Sequence, residues 1–170
     1  MDHEATWELE EAADCPSCGA PRVGGLDGCR ALFDRLGERE FSDPEFFRAH
    51  RLTVDAYSLQ HPEQFMKSSK SAAAHLAGMC WSMERGRSTH LPAPLKRWVD
   101  GRKNYARLTP PPPRARGTVT VIDVLDAEDA AEHERRVEAW ARSAWSAWAG
   151  HWSQARAWVV EALEGSRAGV

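Results

Sequence analysis

Apolar side chains recur every three to four residues along most of the chain, which is the spacing of one buried face of an α-helix. The first run follows Cys29, where Leu32, Phe33 and Leu36 share a face. This run predicts a helix that begins at Cys29 and turns near Ser42. The pattern as a whole predicts an all-α protein, a bundle of about four to five helices.

Proline and capping residues mark the next helix boundaries. Positions 42–44 (Ser-Asp-Pro) supply a capping side chain and a first-turn proline. A second helix is therefore predicted over 44–60, where a His-Pro pair ends it. A third helix is predicted over 69–85, and a short one over 95–103.

The clearest helical pattern lies near the C-terminus. A stripe through Val137, Trp140, Ala144 and Trp148 predicts one long helix over 128–163, which carries five of the eight tryptophans. Such a stripe is usually core packing, although indole rings also line ligand pockets. Trp148 and Arg156 are therefore candidate cofactor contacts on this helix.

The middle of the chain has no clear helical period. Residues 110–113 are four consecutive prolines, a stiff stretch that continues neither a helix nor a central strand. Residues 118–124 alternate as a strand would. A short helical turn that begins at Thr120 is the alternative prediction.

Length and composition fit one globular domain, with 170 residues of which 28% are charged and 42% are hydrophobic. We predict an acidic lead-in over 1–14 and a single helical domain over 15–170, within which 86–118 is a basic, proline-rich connection.

No apolar run approaches the ~18 residues of a membrane span. The acidic N-terminus is unlike a secretory signal, and the cysteines look reduced rather than paired. These features predict a cytoplasmic protein.

Charge is segregated along the chain, although the net charge is only −3. Residues 85–116 contain nine basic side chains against a single acid, Asp100. Such a stretch can contact nucleic acid or an acidic protein. It is more often a solvated loop that pairs with neighbouring acids, so nucleic acid is the less favoured partner.

The spacing of the cysteines gives the first candidate chemistry. Cys15 and Cys18 flank a Pro-Ser pair and are followed by Gly19, a turn that presents two sulfurs to one point. Cys29 supplies a third sulfur, and this pattern is typical of a tetrahedral zinc site. We predict a zinc knuckle over 15–29, a segment with too little apolar content to fold without a metal.

Three thiolates need a fourth ligand in a structural zinc site. Cys80 lies in the middle of the predicted third helix, where a lone cysteine is usually core. If the first two helices are antiparallel, His61 emerges at the knuckle end, whereas His50 lies well down the bundle. We predict His61 as the fourth ligand, with His50 as the alternative. Asp55 could reach the ion or orient a ligating imidazole.

Histidines inside the predicted helices form a second candidate site. His50, His75 and His151 come from three helices, and such residues can converge in a bundle core as a second divalent-metal site with an open position. Asp55 could contribute to it, and Tyr57 could supply a proton. The alternative is that each histidine is an ordinary hydrogen-bonded residue.

The order of these motifs resembles an uncharacterised bacterial family that is described only as a domain of unknown function. Its members open with a CPxCG-like knuckle and then carry H-x4-D-A-Y-x2-Q-H-P, which here covers 50–62. An H-L pair follows at 75–76, and a helix rich in tryptophan closes the pattern at 140–158. This chain departs from the pattern at Trp152, where a second histidine is expected. The resemblance implies the same site residues and no particular reaction.

Two functions from different classes fit these observations. The first is a metal-dependent enzyme or binder that acts on a small molecule in a pocket of histidines and tryptophans between helices. The second is a non-enzymatic, zinc-stabilised module that binds a protein or nucleic acid through the basic connection. A third interpretation is purely structural. The pocket requires Asp55, Tyr57, His75 and His151 to face one another.

Overall fold

The computed structural model describes residues 13–101 and 104–168, and every regular element in these ranges is helical. The prediction of an all-α protein is confirmed. The helices outnumber the predicted four to five, because the described ranges contain eight α-helices. They are α1 (Gly25–Ser42), α2 (Pro44–Phe47), α3 (His50–Gln60), α4 (Pro62–Phe65), α5 (Ser69–Glu84), α6 (Ala93–Gly101), α7 (Ala130–Ala147) and α8 (Trp152–Arg167), with 3₁₀ turns at Val121–Asp123 and Ala149–His151.

The predicted second helix is divided into α2 and α3. The side chain of Asp43 caps α2 by accepting a hydrogen bond from the N–H of Glu45 at 2.8 Å, as the start signal predicts. The α-helical hydrogen-bond pattern is then interrupted. The N–H of Ala49 donates to the carbonyl of Phe46, which is three residues earlier instead of four. At the other end, Pro62 disfavours a helical conformation for the residue before it, and His61 leaves the helix with φ −127° and ψ 52°.

The predicted long C-terminal helix is two helices, α7 and α8, separated by a 3₁₀ turn. Gly150 lies in this turn, and glycine is a poor helix former. The break places the indole of Trp148 in the core, where its N–H donates to the carbonyl of Leu59 at 3.0 Å. The indole of Trp152 donates back to the carbonyl of Trp145 at 2.9 Å and closes the turn. Tertiary hydrogen bonds therefore replace the helix ladder here.

The segment between α6 and α7 is irregular except for the 3₁₀ turn. Thr120 and Asp123 cap this turn reciprocally, which matches the helical alternative rather than a strand. The short helix predicted over 95–103 begins at Ala93. Residues 102 and 103 lie outside the described residues, as does most of the acidic lead-in predicted over 1–14.

The core forms around α3, which packs against α5 and α7, while α8 packs against α5 and α6. Trp140, Trp148 and Trp158 are buried in this core. The indole of Trp140 donates to the side-chain oxygen of Gln60 at 2.8 Å, so the aromatic stripe of α7 is fixed to the end of α3. Among the described residues, no helix combines the length and apolar character that crossing a bilayer requires.

Candidate metal centre

The loop before α1 turns tightly, so that two cysteines face the same point. The N–H of Gly19 donates to the carbonyl of Cys15 at 2.9 Å, and the N–H of Cys15 donates to the carbonyl of Ala20 at 2.8 Å. Gly19 has a φ of +82°, a left-handed conformation that favours glycine. The same turn places the N–H of Ala20 3.4 Å from the sulfur of Cys18.

Cys29 in α1 and His61 at the end of α3 complete a buried group of four. One ligand atom from each of Cys15, Cys18, Cys29 and His61 lies within 4.8 Å of the other three, so the group could hold a metal ion. The Nε2 atom of His61 lies 3.5 Å from the sulfurs of Cys15 and Cys29. The sulfurs of Cys18 and Cys29 are 3.8 Å apart. The predicted ligands thus lie together, and the alternative ligand His50 is not among them.

These separations fit a tetrahedral ion. With metal–sulfur bonds of about 2.3 Å and metal–nitrogen bonds of about 2.0–2.1 Å, a zinc tetrahedron places two sulfurs about 3.8 Å apart and sulfur and nitrogen about 3.6 Å apart. The observed distances between Cys18 and Cys29, and between His61 and its two sulfur neighbours, agree with both values. These three distances are therefore those expected in a closed four-coordinate site, and the remaining ones are all within 4.8 Å.

The imidazole of His61 is held in the orientation that a metal ligand needs. Its Nδ1 donates to the carbonyl of Tyr57 at 2.9 Å, which leaves Nε2 as the atom with a free lone pair toward the sulfurs. The ring of Tyr57 stacks on the imidazole with centroids 3.8 Å apart, and Phe33 stacks on the other face of Tyr57 at 4.0 Å. The backbone and two aromatic rings thus fix the tautomer and the plane.

Three thiols packed together cannot all ionise without a cation between them. The hydrogen bond from Cys18 lowers the pKa of Cys15, because one thiolate is stabilised by neighbours that keep their protons. The same contact with Cys15 raises the pKa of Cys18 to about 11, and contact with Cys15 also raises the pKa of Cys29. A divalent cation removes this restriction, because a coordinated thiol is deprotonated.

Tyr57 contacts the candidate metal ligands Cys29 and His61. It is fully buried, and its hydroxyl is directed at the sulfur of Cys29 at 3.8 Å. Burial, together with the neighbouring sulfur of Cys29, raises its pKa. The role of Tyr57 as a proton donor stays a prediction. Its contacts are those of a residue that supports the four-residue group.

A family model described as a family of unknown function, DUF5946, matches residues 13–149. The chain belongs to this family. The match includes all four candidate ligands and ends before His151, so the helix α8 lies beyond it. No curated protein and no solved structure matches the chain. The predicted resemblance to an uncharacterised family is confirmed at this level.

In this DUF5946 member, Asp55 and His75 do contact each other. The buried carboxylate of Asp55 accepts a hydrogen bond from Nδ1 of His75 at 2.8 Å, and Arg51 donates to the same carboxylate at 2.9 Å. Gly78 allows this arrangement, because a Cβ atom there would lie 2.8 Å from the guanidinium of Arg51. Asp55 therefore orients His75 and does not belong to the four-residue metal group.

His50 belongs to a different network, around the buried carboxylate of Glu40. Nδ1 of His50 lies 2.7 Å from one carboxylate oxygen, and Nε2 of His133 lies 2.8 Å from the other. The hydroxyl of Thr53 donates to the same carboxylate at 2.5 Å. Sequence reasoning missed Glu40 and His133. One signal existed, because His133 extends the apolar stripe one turn before Val137.

His151, Trp148 and Arg156 have separate surroundings. Nε2 of His151 donates to the carbonyl of Thr109 at 2.7 Å, and Trp148 is a core residue. Arg156 is a half-exposed residue that pairs with Glu84 on α5. The three histidines predicted for a second metal thus have three different partners, and among the described residues the cysteine-histidine group is the one whose ligand atoms cluster.

Two surface pockets flank the knuckle instead. One, of about 440 Å³, is lined by Cys18, Gly19 and Pro21 on one side and by six residues between positions 114 and 123 on the other. A smaller one, of about 250 Å³, lies between Pro16 and Pro113 and includes Gln64. Both pockets have the knuckle as one wall.

Four of the six basic side chains that the structure describes in the basic connection form ion pairs. Within it, Arg87 pairs with Glu134, Lys96 with Asp100, Arg114 with Asp14, and Arg116 with Glu63. These contacts match the expectation of a loop that pairs with acidic neighbours.

Proposed function

We propose that this chain is a zinc-binding helical protein in which the ion is structural, and that it serves as a binding module rather than as a metal-dependent enzyme. The observation that carries the proposal is the closed donor set of Cys15, Cys18, Cys29 and His61. Four protein ligands fill a tetrahedral site, whereas catalytic zinc keeps one position open for water or substrate.

The choice of zinc rests on the chemistry of the donors. Soft thiolates with one imidazole in tetrahedral arrangement favour zinc over the hard cations, which prefer oxygen ligands and higher coordination. The fixed Nδ1 hydrogen bond of His61 supports the same assignment, since ligating histidines commonly donate their second nitrogen to a carbonyl or carboxylate. When bound, the ion supplies no reaction; it joins the knuckle to α1 and α3.

A binding function is supported by the pocket beside Cys18. Its volume of about 440 Å³ lies within the range of small-ligand sites. Arginine, threonine and aspartate side chains line it, so it offers both charges and hydrogen-bonding groups to a polar partner. Because four of the six described basic side chains in the connection pair with acids, nucleic acid is the less favoured partner of this module.

An enzymatic function is the second candidate, and one contact favours it. The bond from His75 to Asp55 is the arrangement that orients an imidazole for proton transfer. His75 would act as the base and Asp55 as its positioning residue. A His75→Gln variant with wild-type stability that also keeps the full turnover of any substrate found by activity screening would leave this candidate without support.

The first expected result is one zinc ion per chain in natively purified protein. Mass spectrometry under non-denaturing conditions measures this stoichiometry directly. Replacement of zinc by cobalt(II) should add the strong visible absorption bands of a tetrahedral thiolate site. Two ions per chain, or cobalt bands typical of octahedral oxygen ligands, would contradict the closed structural centre.

A further inference from the structure

The irregular residues 110–119, here called the strap, lie across the knuckle and the end of α3. Arg116 is the buried centre of this contact. Its guanidinium donates to the hydroxyl of Ser17 at 2.7 Å, to the carbonyl of Gln60 at 3.2 Å and to the carboxylate of Glu63 at 2.8 Å. It also donates to the carbonyl of Pro111 within the strap at 2.9 Å.

Further contacts to the knuckle come from Arg114. Its N–H donates to the carbonyl of Ser17 at 2.8 Å, and its guanidinium pairs with Asp14 at 3.0 Å. Arg114 has a φ of +66°, a left-handed conformation that is unfavourable for an arginine. The contacts of the docked strap offset this cost, so a strap that leaves the knuckle is free to relax.

The rest of the strap is held by the bundle. The amide of Gln60 donates to the carbonyls of Arg116 and Val119 at 3.1 and 2.8 Å. The hydroxyl of Ser143 on α7 accepts from the N–H groups of Thr118 and Val119 at 2.7 and 3.1 Å. These contacts fix one end of the strap independently of the knuckle.

We propose that metal binding and docking of the strap are coupled. Ser17 lies between two of the ligating cysteines, and Gln60 directly precedes His61, so an ion that fixes the ligands also fixes two partners of Arg116. The proposal rests on the proposed zinc centre. It makes the pocket beside Cys18 metal-dependent, because the knuckle forms one wall of that pocket, and the strap together with the 3₁₀ turn that follows it forms the other.

Hydrogen–deuterium exchange on the full chain tests the coupling, with and without removal of the metal by a chelator. The amide of Arg114, which donates to the knuckle carbonyl of Ser17, should exchange about 10- to 100-fold faster in the metal-free protein, because the hydrogen bonds of Arg116 that would break with it are charge-assisted. The amides of Thr118 and Val119, which Ser143 holds, should change less. Peptides from α5 should keep their protection. Unchanged exchange in the strap, or equal loss of protection in α5, would overturn the proposal.

The metal content of the same samples separates the two proposals. If no ion binds, the zinc centre fails and the coupling fails with it. If one ion binds and its removal leaves exchange in the strap unchanged, the coupling alone is overturned.

A substitution in the strap tests the coupling from the other side. Arg116→Lys keeps the charge but loses the planar fork that reaches several acceptors. The metal-loaded variant should show exchange in the strap that is faster by a factor of about ten. Because coupling between two sites is reciprocal, its zinc dissociation constant should rise by a similar factor. The matched control is Arg142→Lys, an exposed arginine of α7 that pairs with Glu138. An unchanged zinc affinity in Arg116→Lys, with exchange in the strap increased, would overturn the coupling.

Discussion

Cys29→Ser is expected to weaken zinc binding by about a hundredfold to a thousandfold. Structural zinc sites contribute about 10–16 kcal/mol, or roughly 2.5–4 kcal/mol for each of four ligands. A serine hydroxyl is a poor replacement for a thiolate, and it cannot reproduce the sulfur that Cys18, His61 and Tyr57 all approach. Competition with a chromogenic chelator measures the change in affinity.

Cys80→Ser is the matched control for this experiment. Cys80 is also buried, but it lies on α5, outside the four-residue group. Burial raises its pKa to about 11, so it stays a neutral thiol at physiological pH. Cys80→Ser should therefore keep one zinc per chain. Equal loss of zinc from both variants would mean that the cysteine effect is a general loss of fold, and it would refute the assigned ligand set.

Glu40→Ala is expected to lower the free energy of unfolding by about 3–5 kcal/mol, the usual cost of removing one partner from a buried charged network. The substitution leaves the ring nitrogens of His50 and His133 and the hydroxyl of Thr53 without their shared acceptor. Denaturant titration at pH 7 measures the difference. The matched control is Glu38→Ala, an exposed acid on the same helix, which should change stability by less than about 0.5 kcal/mol.

The effect of Glu40→Ala should also depend on pH. Burial alone raises the pKa of Glu40, but hydrogen bonds from His133, His50 and Thr53 outweigh burial and hold this pKa below its ordinary value of 4.5. Because the pKa of Glu40 is lower in the folded state, its ionised carboxylate contributes its full stabilisation above about pH 4.5. This contribution is lost as the pH falls through the pKa of the folded state.

The difference in unfolding free energy between wild type and Glu40→Ala should therefore shrink as the pH falls below about 4.5. Release of the metal in acid affects both proteins alike, so the difference isolates Glu40. A difference that stays constant, or grows, below that pH would contradict the proposed role of the carboxylate.

The sequence by itself determined the local features of this protein. The three-to-four spacing of apolar residues is a property of the chain, and it predicted the all-α class and the extent of α5. The Cys-Pro-Ser-Cys-Gly turn is equally local, because its geometry depends on a few backbone hydrogen bonds and on glycine at 19. Choosing His61 over His50 needed only the length of a helix and an antiparallel arrangement of the first two helices, since 1.5 Å per residue separates the two ends of α3.

Only the tertiary structure decided which polar side chains meet. Glu40 finds His133 across 93 positions, and Arg116 finds Ser17 across 99, and no periodicity encodes such partners. The division of the last predicted helix has the same origin, because the indole of Trp148 bonds to α3 where the helix ladder stops. Helical period depends on neighbours within one turn, whereas buried polar groups take whatever partners packing brings to them. The three histidines predicted for a second metal, His50, His75 and His151, therefore pair with separate acceptors instead of converging.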